Sequence, residues 1–172
     1  VKPSKITRLA ANLASCRRIL LVSHVDPDGD NIGSLVGFSR YLTSRGISAT
    51  ILLVDPVPEP FRFLLSGLKV MDPTRPGCRF RPVKIWDATL FLDAGEWYRM
   101  GRAEKFVREW GGRVIRLDHH EGGVKFSHHD VVDTAITCTA EILWELLEQG
   151  HCRLTRPLAE AMYVAFMTET GS

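Results

Sequence analysis

Leu20-Leu21-Val22-Ser23-His24-Val25-Asp26-Pro27-Asp28-Gly29-Asp30-Asn31-Ile32-Gly33-Ser34 decides the fold: an apolar run breaks off at a histidine, and a helical pattern starts a few residues later. Asp26, Asp28 and Asp30, with Gly29 and Gly33, fill the intervening segment. Apolar residues draw the first half into a core, whereas His and Asp are poor core residues unless paired or bound to metal. The stretch therefore reads as a strand that delivers ligands to a metal site.

Working outward, Ile6, Leu9, Ala10 and Leu13 recur at helical spacing, with Ser4 placed as N-cap. Residues 19–23 form a fully apolar strand, as in the middle of a parallel sheet. Ile32, Leu35, Val36, Phe38 and Leu42 give a helix over 31–45, closed by Gly46, and 48–54 form a second strand. Pro56, Pro58 and Pro60 interrupt regular structure until a short helix at 61–65. Residues 66–84 read as loop, with one short strand at 68–71. A third strand, 88–92, ends at Asp93. A helix over 101–110 is capped by Gly111-Gly112, and a fourth strand, 113–117, ends in Asp118-His119-His120. Val131-Val132 suit a short fifth strand, and helices are expected at 139–149 and 156–167, with Pro157 in a first turn. The prediction is one α/β domain over residues 1–172: a doubly wound, mainly parallel sheet of about five strands with helices on both faces. In such sheets ligands bind beyond the carboxyl ends of the strands, where His24 to Asp30, Asp93 and Asp118-His119-His120 fall.

Imidazole and carboxylate together suit Mn, Fe, Zn or Co rather than Ca, and the lack of nearby Cys argues against a structural zinc. There are more candidate ligands than one ion uses. Asp93, flanked by the small Ala94-Gly95, is placed to bridge two ions, and a metal pair suits in-line phosphoryl displacement by an activated hydroxide. Gly29 and Gly33 allow close backbone approach, and the helix starting near Asp30 points N–H groups toward an anion.

The segment 23–34, with Leu-Asp-Ala-Gly at 92–95 and Asp-His-His at 118–120, resembles the DHH phosphoesterase superfamily in order and spacing. The continuation from Asp55 to Leu64 is similar to the branch of bacterial nano-RNases, which act on short oligonucleotides and 3′-phosphoadenosine 5′-phosphate, and of cyclic-dinucleotide phosphodiesterases. The resemblance implies that His24 and Asp28 bind one Mn²⁺, that Asp30 and His119 bind a second, and that Asp93 bridges both; Mg²⁺ or Co²⁺ are the expected substitutes. It implies that His120 contacts the scissile phosphate and that Asp118 orients a ligand histidine. The family's last ligand is the Asp of Thr-Asp-Thr-Gly; here the stretch is Thr168-Glu169-Thr170-Gly171, so Glu169 takes that place on a longer arm. The branch also carries a smaller C-terminal substrate-binding domain, which this chain lacks, so a piece of a longer protein is expected.

Plainer roles are assigned to other residues. Asp26 reads as a turn residue or a partner to a ligand, His128-His129 as a solvated loop, His151 as part of a helix end and Thr139 as an N-cap, with a phosphate contact as its alternative. Arg99, Arg102, Arg113 and Arg116 read as surface charge unless they meet phosphates. Trp86, Trp97, Trp110 and Trp144 read as packing residues, with Trp97 the one considered for base stacking.

The net charge of +2 points to no partner, and no apolar run approaches the roughly 18 residues of a membrane span. Cys16, Cys78, Cys138 and Cys152 are scattered thiols, and Val1 to Ser4 opens no signal peptide, so a cytoplasmic setting is expected. Oligomeric state is left open, a homodimer included. The expected function is a Mn²⁺-dependent phosphoesterase acting on short oligonucleotides or nucleotide phosphates. The alternatives are a cyclic-dinucleotide phosphodiesterase or other DHH phosphohydrolase and, in another class, a catalytically weakened nucleotide-binding regulatory module.

Overall fold

A computed structural model describes residues 1–72, 86–123 and 127–171. Among these, β1 (Arg18–Val22), β2 (Ser48–Leu52), β3 (Val70–Met71), β4 (Ala88–Leu92), β5 (Arg113–Asp118) and β6 (His129–Val132) form one parallel sheet in the order β3-β2-β1-β4-β5-β6. The sixth strand, β3, falls within the short strand expected at 68–71. It spans two residues, pairing Val70 with Ile51 and Met71 with Leu52, too short to carry a periodic signal. Part of the expected 66–84 loop, and Cys78 with it, lies outside the described residues.

Burial on both faces explains the unbroken apolar runs. In β1, Ile19 and Leu21 join one core cluster while Leu20 and Val22 join the other. The first cluster is covered by α1 (Pro3–Ala14), α2 (Gly29–Ser44), α4 (Ala140–Gln149) and α5 (Arg156–Thr170). The second is covered by a 3-10 segment, Trp97–Ala103, and α3 (Glu104–Trp110). A doubly wound sheet results.

Helix α2 is the central helix. Leu35, Phe38 and Leu42 are fully buried, each contributing about 1.5–3 kcal/mol relative to exposure. Its Gly29, Gly33 and Gly37 repeat every four residues, so they line one face. A Cβ at Gly29 would lie 2.3 Å from the Thr168 side chain, and one at Gly37 would lie 2.7 Å from Leu143. Gly29 and Gly33 let α5 pack directly on the α2 backbone, Gly37 admits Leu143 of α4, and the first contact fixes where the end of α5 sits.

Three local expectations change. Helix α1 starts at Pro3 with Lys2 as cap, not at Ser4, because Pro suits a first helical turn. The helix expected over 101–110 is a 3-10 segment up to Ala103, kinked at Gly101 (φ 47°), followed by α3. Trp144 is 42% exposed rather than packed.

Candidate metal centre

The strand order reverses between β1 and β4, which makes their carboxyl ends the crevice where such sheets bind ligands. His24 follows β1, Asp93 follows β4, and Asp118, His119 and His120 end β5. The loop after β1 is fixed by Ser23 Oγ, which accepts from the Val54 N–H at 2.8 Å, and by the Val25 N–H, which donates to the Arg99 carbonyl at 2.8 Å. Asp28 caps α2, its Oδ1 accepting from the Asn31 N–H at 2.9 Å, so the helix start and a candidate ligand are one residue. Asp93 holds φ 61°, a left-handed conformation that aspartate adopts more readily than most non-glycine residues.

Three overlapping groups of side chains converge there: His24, Asp28 and Asp93; Asp30, His119 and Glu169; and Asp93, His119 and His120. Within each group one ligand atom per residue lies within 4.8 Å of the others. Asp93 is shared. Its Oδ2 is 3.4 Å from His24 Nε2 and its Oδ1 is 3.3 Å from His119 Nε2. His119 Nε2 also lies 3.7 Å from Asp30 Oδ2 and 3.9 Å from Glu169 Oε1.

The electrostatics are those of a site built around positive charge. Burial, and next the neighbouring Asp93, raise the Asp30 carboxyl to about 7, against the hydrogen bonds from the Thr139 N–H and Ser34. Asp93 resists the same burial because the His119 and His24 rings stand beside its carboxylate at 3.3 and 3.4 Å, and it falls to about 2. His119 rises to about 9, chiefly through the Asp93 carboxylate 3.3 Å away, against burial. Burial pulls His24 down, but Asp93, the Val25 carbonyl and Asp28 outweigh it and leave it raised.

A divalent cation fits this donor set. His119 Nε2 is buried and meets no hydrogen-bond geometry, although three carboxylates surround it at 3.3–3.9 Å. His24 Nδ1 is 2.7 Å from the Val25 carbonyl oxygen, an acceptor, so the proton sits on Nδ1 and Nε2 presents its lone pair to the cluster. Imidazole lone pairs among carboxylate oxygens suit a borderline divalent ion such as manganese.

All six sequence-derived ligand candidates, His24, Asp28, Asp30, Asp93, His119 and Glu169, fall in these groups. Asp118 is buried, and its Oδ1 accepts from the His119 and His120 N–H groups at 2.9 and 3.1 Å and lies 2.9 Å from His120 Nδ1. It therefore orients the phosphate-facing candidate His120 rather than the ring of His119. His120 is 55% exposed.

Thr139 is the site residue that sequence reasoning missed. It makes no side-chain cap on α4; its N–H donates to Asp30 Oδ2 at 2.8 Å and its hydroxyl to Asp93 Oδ1 at 3.3 Å. Gly29 and Gly33 serve the contact with α5. Arg116, read as surface charge, is buried and donates to the Gly95 carbonyl at 3.0 Å. His129 opens β6, and His128 Nδ1 accepts from the Val114 N–H at 3.0 Å, so this pair is tied to the sheet rather than to a solvated loop. Trp97 lies under the Arg108 guanidinium, 4.0 Å from the ring centroid, so that face is covered. Asp26 is an exposed turn residue with φ 52°.

Residues 18–166 match the DHH family, N-terminal domain. The "Bifunctional oligoribonuclease and PAP phosphatase NrnA" of Thermus thermophilus is 33% identical over 158 residues, covering 90% of this chain and 44% of that protein. The protein of the same name from Bacillus subtilis is 26% identical, over 96% of this chain and 50% of its own length. The chain thus spans about half the length of the curated relatives it matches. The crystal structure of an exopolyphosphatase-related protein from Bacteroides fragilis superposes with a TM-score of 0.86 at 23% identity, over 98% of this chain and 50% of that one. The structure of exonuclease RecJ bound to manganese gives 0.54 at 18% identity, over 96% and 42%. Both share the fold.

Proposed function

The chain belongs to the DHH family, and from that premise we propose that it is the catalytic half of a Mn²⁺-dependent phosphohydrolase acting on short oligonucleotides and on 3′-phosphoadenosine 5′-phosphate. The observation that carries this is Asp93: one carboxylate shared by His24 and His119 at the switch point of the sheet. His24 and Asp28 would hold one ion, Asp30, His119 and Glu169 the other, and Asp93 both. Divalent ions there supply Lewis acidity to a phosphoryl oxygen and acidify a water.

The chain's own residues set the rest. Asp118 holds His120 Nδ1, which aims Nε2 at the open side of the site. His120 there orients the phosphate whose P–O bond breaks as water adds to phosphorus. The Thr139 hydroxyl and N–H hold Asp93 and Asp30 from behind, which fixes the carboxylates before an ion arrives. Ser34, whose hydroxyl donates to Asp30 Oδ1 at 2.9 Å, is fully buried, so it is not presented to a substrate as a nucleophile. Cys138, next to the site, is pushed up to about 12 by burial and remains a thiol. The proposal is therefore direct attack by water without a covalent intermediate. The unpaired cysteines fit a reducing, cytoplasmic setting. Among the described residues no helix is long and apolar enough to cross a membrane.

Incubating the protein with di- to pentaribonucleotides, 3′-phosphoadenosine 5′-phosphate and cyclic di-AMP, with and without Mn²⁺, tests this. Mn²⁺-dependent release of mononucleotides or of phosphate from the first two is expected. Hydrolysis of cyclic di-AMP alone, or of none with any divalent ion, contradicts it.

A further inference from the structure

Four arginines sit on or just after the strands that build the site, and three have partners that explain them. Arg113 Nη2 donates to Ser15 Oγ at 3.1 Å, at the start of β5 and away from the ligands. Arg116 is buried against Gly95 and lies 3.3 Å from Asp130. Arg102 lies 3.9 Å from Asp55. Arg99 differs: no carboxylate lies within ion-pair distance of it among the described residues.

The Arg99 Nη2 is 3.3 Å from His24 Nδ1. That nitrogen already carries a proton for the Val25 carbonyl, so it accepts nothing from the guanidinium. The arginine thus rests against the outer edge of a metal-site imidazole, and among the described residues its guanidinium has no other side-chain partner. Its backbone is fixed on either side. The Arg99 carbonyl accepts from the Val25 N–H, and Met100 is fully buried. Gly101 is wedged so that a Cβ would lie 2.8 Å from Val25 and 2.9 Å from Val54. A long cationic arm leaves a rigid seat, which lowers the ordering cost of binding.

His24 separates Arg99 from Asp93, with Nδ1 on the arginine side and Nε2 on the carboxylate side. The guanidinium therefore lies beside the central cluster rather than over it. A planar fork of donors without an acid partner suits a phosphate. We propose that Arg99 binds a second phosphate of the substrate, flanking the one that is hydrolysed, and so favours ligands with two phosphates. The inference rests on the phosphohydrolase function proposed above.

The test compares wild type and Arg99→Gln on the dinucleotide ApA, which has one phosphate, and on pApA, which has a second at its 5′ end. Wild type is expected to favour pApA in kcat/KM by about 10-fold or more, the range of a charge-assisted hydrogen bond. Arg99→Gln loses that preference while its rate on ApA and its Mn²⁺ affinity stay unchanged. An equal loss on both substrates, unaltered preference, or weakened Mn²⁺ binding overturns the inference, the last by making Arg99 a prop for His24. If wild type cleaves neither dinucleotide, the hydrolase function fails by itself. Equilibrium binding of the same two probes with Mn²⁺ present then decides: a pApA advantage that Arg99→Gln erases supports the inference, and equal binding of the two by wild type overturns it.

Discussion

Gly33 on α2 and Ala161 on α5 meet so closely that a Cβ at Gly33 would stand 2.5 Å from the Ala161 carbonyl oxygen. Backbone cannot yield as a flexible side chain does, so any side chain at Gly33 pushes the helices apart. The same packing brings Glu169, near the end of α5, to the ligands at the start of α2. Gly33→Ala is predicted to cost about 1–3 kcal/mol of stability and to weaken binding at the Asp30–His119–Glu169 group more than at the His24–Asp28 group. Thermal unfolding and Mn²⁺ titration of the variant check both; a variant as stable as wild type would refute the helix contact.

Asp118→Asn keeps the shape of the side chain but removes the charge that holds the His120 ring. Residues that orient catalytic groups in metal sites typically contribute about 10–100-fold. A fall of that size in kcat, with Mn²⁺ stoichiometry unchanged, is expected from steady-state kinetics and metal titration. A loss of one ion would instead make Asp118 a ligand.

Metal must displace protons here. His119, raised to about 9, and Asp30, raised to about 7, both hold protons at mildly acid pH in the metal-free chain. Mn²⁺ affinity is predicted to rise as pH increases from 5.5 toward 9, with proton release on binding. Calorimetry in buffers of differing ionisation enthalpy measures it. Affinity that is flat with pH would contradict these ionisation states.

A second carboxylate makes a stability prediction independent of metal. Asp87 Oδ2 accepts from the Arg17 and Arg18 N–H groups at 2.7 and 2.8 Å, tying the start of β1 to the segment that leads into β4. These bonds hold its pKa below the ordinary 3.8. A depressed carboxylate stabilises the fold fully above its unfolded pKa, and that stability is lost as pH falls through the lower folded value. Asp87→Ala is therefore expected to lower the melting temperature at pH 7 and to flatten its fall below about pH 4. Identical acid melting profiles for variant and wild type would exclude the role.

The strands that carry the site were legible because each is an apolar run ending in an acid or a histidine. Burial on both faces made the runs continuous, and the change to polar residues marked their carboxyl ends. His24, Asp28, Asp30, Asp93 and His119 were marked for the same reason, as His and Asp beyond three strand ends, whereas Glu169, near the end of α5, came only from the resemblance of Thr168-Glu169-Thr170-Gly171 to the family's last motif. Thr139 was not, because Thr before a helix ordinarily caps it, and only the fold turns its N–H and hydroxyl toward Asp30 and Asp93. Arg116 was hidden by its chemistry: a charged residue inside a strand reads as exposed until its partners are in place. The contact of Gly33 with α5 was hidden by distance in sequence. β3 was marginal because two residues carry no period.

Asp93 is the carboxylate that the two proposed ions would share. The most direct measurement is calorimetric titration of the metal-free chain with Mn²⁺, beside Asp93→Asn. Two ions per wild-type chain are expected, with binding at both sites weakened together by the one substitution. A single ion per chain, or two sites that leave Asp93→Asn unaffected, would contradict it.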